Sequence, residues 1–229
     1  MKHGFHLAAA CALLPFAAAG QNASTAVALR YSVSFKDAVV ATQSVSIVHS
    51  GDSTTLACSF AADLPVFIAT HHYSEELSVT YRPADGTVER LGARIQDGFV
   101  RTVVSGTWDS EGALRIVRSG MDGTTTNRVA RDGYDFHSLV FYGRAPADFL
   151  PTHAPARVLS VAHGEVRPVQ IQTIAESDTF ERQYLVSTHL VWTEGTFTSH
   201  SWHPERFSNL PRRYIRQTEH GTFTFNLIR

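Results

Sequence analysis

The sequence is poor in the residues that most often announce chemistry. Among 229 residues it has two cysteines, Cys11 and Cys58. Cys11 lies in an apolar leader, so a chain without that leader keeps one thiol and closes no internal disulfide. Only Lys2 and Lys36 are lysines, and the arginines are scattered rather than gathered. Lys+Arg 20 against Asp+Glu 21 leaves no basic stripe for nucleic acid or for an anionic membrane surface. There is no G-x-S-x-G elbow, no HExxH or CxxC spacing and no glycine-rich phosphate loop. An activated serine, a zinc site with its usual spacers and a nucleotide cofactor thus lack their motifs, and neither a cofactor nor a metal is expected. The apolar run "LAAACALLPFAAAG" is shorter than the ~20 residues that cross a bilayer, so no transmembrane span is expected.

That run reads as a leader. Lys2 supplies a positive start, the apolar stretch follows, and small residues close it at Ala19 and Gly20. Residues 1–20 are read as a cleaved signal peptide and 21–229 as a single β-rich domain, periplasmic or secreted. As a lipoprotein cysteine, Cys11 would follow an apolar run of only a few residues. "NAS" at Asn22 to Ser24 fits a glycosylation acceptor, which matters only in a eukaryotic secretory pathway.

What the chain has in quantity is alternation. Val27, Leu29, Tyr31, Val33 and Phe35 occupy one phase of "VALRYSVSFK", with Arg30, Ser32, Ser34 and Lys36 in the other. Leu56, Cys58 and Phe60, then Leu77, Val79 and Tyr81, then Phe223, Phe225 and Leu227 repeat the pattern. Period two describes half-buried strands, because apolar residues two apart fall on opposite sides of a helix. Asp85-Gly86, Asp97-Gly98, Glu111-Gly112, Asp122-Gly123 and Asp132-Gly133 suit tight turns, so 75–131 reads as an antiparallel meander. Later turns are expected at His163-Gly164, Glu176 to Asp178, Glu194-Gly195 and His220-Gly221, with a long strand from Phe180 to Trp192 whose apolar face Arg182 interrupts. "YDFHSLVFYG" predicts one short helix, with Asp135 as its cap and Phe136, Leu139 and Val140 at helical spacing. "RAPADFLPTHAP" is a long proline-rich loop. The expected architecture is mostly β: a single strongly curved antiparallel sheet, an open or half-closed barrel, with the helix and loop over its mouth.

Histidine is the one catalytically suggestive residue in excess. In "HHYSEE", His71 and His72 point to opposite faces if extended and cannot share an ion. In "HSWHPE", His200 and Trp202 share one face while His203 and Glu205 share the other, and Pro204 disfavours a helix that would unite the histidines. A strand ending at Trp202, a turn through "HPERFSN" and a new strand from Leu210 account for this stretch. Asp135, His137 and Ser138 are too close in sequence for triad geometry, which joins separate loops. Cys58 sits on an apolar face as a core thiol. No catalytic residue is assigned. Trp108, Tyr142, Tyr184, Trp192, Trp202 and Phe223 are the candidates to line a ligand cavity in a curved sheet, the alternative being that they fill the core.

Three stretches carry a resemblance: "LRYSVSF", "HHYSEELSVTYRPADGTVERL" and the closing "SHSWHPERFSNLPRRYIRQTEHGTFTFNLI". Together they resemble secreted bacterial β-rich domains of unknown function, similar in their sheets to the open barrels of lipoprotein carriers (LolA/LolB-like). The resemblance spans most of the chain after the leader and implies an apolar groove that holds acyl chains. His203-Pro204 departs from it, since a more acidic pair is expected in the closing turn. The leading expectation is a binding protein for an apolar or amphipathic ligand such as a lipid, with no covalent chemistry. The alternatives are an enzyme or metal-binding protein that unites His71, His72, His200 and His203, and a structural envelope protein that pairs through strand edges.

Overall fold

A strand with one apolar face must lay that face on something, and this chain repeats the requirement in nearly every segment. The computed structural model describes residues 24–66, 69–144, 146–151, 154–180, 183–204 and 210–228. The leader read at 1–20, Asn22, Arg182 and Glu205 lie outside the described residues.

Strands β1 (Thr25–Phe35), β2 (Ala38–Ser50), β3 (Ser53–Val66), β4 (Ala69–Tyr81), β5 (Val88–Asp97), β6 (Val100–Trp108), β7 (Leu114–Gly120) and β8 (Gly123–Val129) form one antiparallel meander. After β9 (Phe136–His137), a second meander runs through β10 (Ala156–Ser160), β11 (Glu165–Phe180), β12 (Gln183–Glu194), β13 (Phe197–Pro204), β14 (Arg213–Thr218) and β15 (Gly221–Ile228). The two meet where β15 pairs antiparallel with β1, so all fifteen strands make one sheet that is not closed into a barrel. The seam is apolar: Val33 lies opposite Phe225 and Phe35 opposite Phe223, all essentially without solvent contact. The two edges are β8 and β9, and β9 runs parallel to β10.

Open sheets beyond ~10 strands curl or split, and this one curls. The β10–β11 turn comes against the far side of the first meander, where Asn127 Nδ2 donates to the Gly164 carbonyl at 3.2 Å. Gly164 has φ of 69°, and a Cβ there would stand 2.7 Å from Val104 Cγ1 and 2.8 Å from Ile116 Cγ2. Only glycine lets the backbone approach this closely.

Residues 136–144 and 146–150 do not lie over the mouth of the sheet as expected; they enter its concave side. Leu139 and Tyr142 belong to the main buried cluster with Tyr31, Leu56 and Tyr81. Phe136, Val140 and Phe149 form a second cluster with Val158, Val169 and Leu190. The predicted helix is a 3-10 turn, Val140–Tyr142, followed by another at Pro146–Asp148. Asp135 does not cap it: its carboxylate accepts from the Arg157 backbone N–H at 2.7 Å and from the Arg157 guanidinium at 2.8 Å.

The turns at Asp85-Gly86, Asp97-Gly98, Glu111-Gly112 and Asp122-Gly123 fall where the sequence places them, whereas Asp132-Gly133 leads out of the meander towards β9. Glu176 to Asp178 form no turn. They continue β11, and the pairing with β12 runs on to Phe180 opposite Gln183. The ladder with β12 outweighs the local turn preference there. Likewise β13 continues past Trp202 to Pro204, paired with Ser187 on β12. Proline is tolerated at such a strand end.

His137 is the anomaly of the interior. It is fully buried against the Tyr81 ring at 4.5 Å, and neither ring nitrogen has a hydrogen-bond partner among the described residues. Burial, helped by the Arg144 charge, pushes its pKa from the ordinary 6.5 down to about 3. The folded state thus refuses a proton that the unfolded chain accepts below pH 6.5. His137 therefore adds no protonation penalty above that pH, and between about pH 6.5 and 3 it costs about 1.4 kcal/mol of stability per pH unit. Urea unfolding followed from pH 7 to 4 should show that slope, and His137→Leu should flatten it by about one proton.

Candidate functional site

Polar residues in phase with the apolar faces mark the interior. Glu75 follows Tyr73 and precedes Leu77 in the inward phase of β4, and Asp97 follows Ile95 on β5. Arg216 follows Tyr214 on β14. These side chains, with Arg118, His163, Arg167, Glu194 and His220, border a cavity of about 600 Å³ on the concave side. Its apolar wall includes Leu77, Ile95, Leu139, Phe141, Tyr142 and Trp192. The antiparallel registers gather the β5–β6, β7–β8, β12–β13 and β14–β15 turns at one end of the sheet. Asp97, Val100, Phe197, Glu219 and His220 all border the cavity there, so this end is its mouth. Exposed Phe99 and Met121 tip two of those turns.

Two polar knots stiffen the inner wall. Arg216 Nη1 donates to both Glu75 oxygens at 3.0 Å, and the Tyr73 hydroxyl donates to Glu75 Oε2 at 2.9 Å. The Arg216 guanidinium lies 5.6 Å and 5.7 Å from the Phe60 and Phe225 rings, which offer cation–π contacts. Its Nε and Nη2 are buried without a hydrogen-bond partner among the described residues. Burial acts to lower the Arg216 pKa, but the Glu75 carboxylate outweighs it and holds the pKa above the ordinary arginine value. The second knot is Gln43, whose Oε1 accepts from the Tyr214 hydroxyl at 2.7 Å and the Tyr142 hydroxyl at 3.1 Å. Tyr31, Tyr142 and Tyr214 meet edge to face around it.

The six predicted aromatics separate. Tyr142 and Trp192 do border the cavity. Trp192 stands against Phe136 at 5.7 Å and Phe141 at 6.0 Å. Phe223 is wholly buried among Phe35, Phe60 and Tyr73, and Trp108 packs half-buried on the core with its Nε1 donating to the Val88 carbonyl at 2.7 Å. Trp202 is on the other face of the sheet. Its neighbours Ser201 and His203 are buried inside, so alternation turns Trp202 outward. There it stacks on His189 at 4.4 Å, with Arg213 5.1 Å from its ring. Tyr184 is opposite Thr179 on β12, and its side chain lies outside the described residues.

The four histidines proposed to converge do not. His72 Nδ1 is 2.9 Å from Asp63 on the exposed face. His200 Nδ1 is 3.1 Å from His189 Nε2, and burial followed by the charge of His189 lowers its pKa. His203 Nε2 is 3.0 Å from Ser201 Oγ. His71 instead meets His220, which the sequence showed only as part of a turn. Their rings lie 4.7 Å apart, and both Nε2 atoms reach Asp97, with His220 Nε2 2.9 Å from Oδ2. Burial alone would raise the Asp97 pKa, but hydrogen bonds from His220 and His71 hold it below the usual carboxylate range. No triad forms at Asp135, His137 and Ser138, since Ser138 Oγ accepts from the Val161 N–H and Asp135 holds Arg157. Burial, with Glu75 adding to it, pushes the Cys58 thiol pKa up, which keeps it an unreactive core group.

The sequence signal for Glu75, Asp97, His71 and Arg216 was their phase: each occupies an apolar-side position of its strand. Comparison with protein-family models, curated proteins and solved structures gives no match to this chain.

Removing Glu75 while keeping Arg216 leaves a buried cation without its counter-charge. Glu75→Leu is expected to cost about 3 kcal/mol in urea unfolding, near the lower end for such losses because Arg216 keeps some access to the cavity. The double variant Glu75→Leu/Arg216→Met should recover most of that loss.

Proposed function

We propose that this protein binds an amphipathic ligand, with the ligand's apolar chain in the concave cavity and its charged group at the mouth. The observation that carries this reading is the gradient along one cavity. Leu77, Leu139, Phe141 and Tyr142 line it away from the turns, Asp97, His163, Glu194, Glu219 and His220 stand at or beside the turns, and Arg216 is already matched by Glu75. The volume of about 600 Å³ falls in the range of small-molecule sites. Arg118 borders the cavity and makes no ion pair among the described residues, so it is the natural contact for a carboxylate or phosphate. Apolar tips at Phe99, Met121 and Phe197 surround the same end and suit transfer of an apolar chain. The resemblance to lipoprotein carriers points the same way, and the leader at 1–20 would place the protein in the periplasm or outside the cell.

Palmitate and the corresponding alcohol are the probes, titrated into purified protein stripped of lipid. One equivalent of palmitate should bind, and Arg118→Ala should weaken it about tenfold, the worth of one charge-assisted hydrogen bond. The alcohol should be insensitive to Arg118→Ala. Ser199→Trp, which fills the cavity from β13, should abolish both without loss of thermal stability. Failure of both probes, together with no lipid in organic extracts of the purified protein, would overturn the reading.

A further inference from the structure

We infer that His71, Asp97 and His220 form a site for one divalent transition-metal ion of the zinc type, set at the mouth of the cavity. One ligand atom from each residue lies within 4.8 Å of the other two. An ion held at about 2.0–2.2 Å from each donor asks for donors about 3–4 Å apart, which small side-chain rotations reach. Two imidazoles and one carboxylate are a borderline donor set that suits zinc and its neighbours rather than magnesium or calcium.

The placement supports a built site rather than a chance surface cluster. The three residues come from β4, the end of β5 and the β14–β15 turn, so the pairing across the β1–β15 seam is what unites them. All three are half-buried, and Asp97 and His220 border the cavity. Gly98 leaves the room that His71 needs: at φ 58°, a Cβ there would stand 3.0 Å from His71 Cε1. Three protein donors leave at least one coordination position, beside a cavity that Asp97 and His220 both border. An open fourth position is the arrangement of reactive zinc sites rather than closed structural ones. The inference is independent of the ligand reading, because it rests on the donor geometry and holds for an empty cavity.

Full-length protein freed of metal with a chelator is titrated with zinc by calorimetry and with cobalt(II) by visible absorption. One equivalent should bind, raise the thermal midpoint, and give the cobalt spectrum of a site with nitrogen and oxygen donors. His71→Ala, His220→Ala and Asp97→Asn should each weaken binding by about a hundredfold or more, whereas His72→Ala and His200→Ala should leave it unchanged. Asp97→Asn keeps the size of the side chain, so it separates loss of a donor from loss of the fold. The absence of saturable binding would overturn the inference. So would one equivalent that survives both His71→Ala and His220→Ala, or one that is lost in His200→Ala.

Discussion

An apolar sheet face has to be covered, and here the sheet covers its own. A β-sandwich would bring a second sheet and an α/β fold would bring helices. This chain has no helix of seven or more residues among those described. Fifteen strands curl until the β10–β11 turn reaches Val104 and Ile116, and the segment from Phe136 to Leu150 fills part of the enclosed space. The cavity is what the filling leaves. Its position is therefore set by the residues that segment presents to it, Leu139, Phe141 and Tyr142, and by the small inward residues of β13, Ser199 and Ser201.

The polar groups admitted to this interior differ in how well they are satisfied. Gln43 accepts two phenol hydroxyls and Glu75 holds both Arg216 and Tyr73, so each is matched on a wall that must stay dry and fixed. His137 is buried without that compensation and remains neutral. The difference follows position. Glu75 and Gln43 sit where several strands converge on the cavity, whereas His137 sits on the two-residue edge strand β9, against the Tyr81 ring.

The mouth has a different composition because it is built from turns. Turn residues need not alternate, so charged and apolar side chains mix there: Asp97 beside exposed Phe99, and Glu219 and His220 across from Phe197. Groups at strand ends are half-buried, held by the ladder on one side and open to the cavity on the other. That is the setting in which ligand contacts are both fixed in place and reachable.

Alternation and turn chemistry decided the fold class from the sequence. Tyr31, Val33 and Phe35, Leu77, Val79 and Tyr81, and Phe223 and Phe225 are inward as their phase requires. The Asp-Gly turns of the first meander fall where they stand in the sequence. Phase also told His71 from His72 and His200 from His203, because neighbours of opposite parity cannot share a face. Local pattern misplaced the Glu176 to Asp178 turn and the cap at Asp135, where a ladder and an ion pair outside the local window outweighed propensity. What period two cannot state is which strand neighbours which. The pairing of β1 with β15 is a contact between the two ends of the chain. Together with the curl of the sheet it brings Arg216 to Glu75 and His220 to Asp97 and His71, because side chains on one concave face meet only when the strands between them are stacked in a particular order.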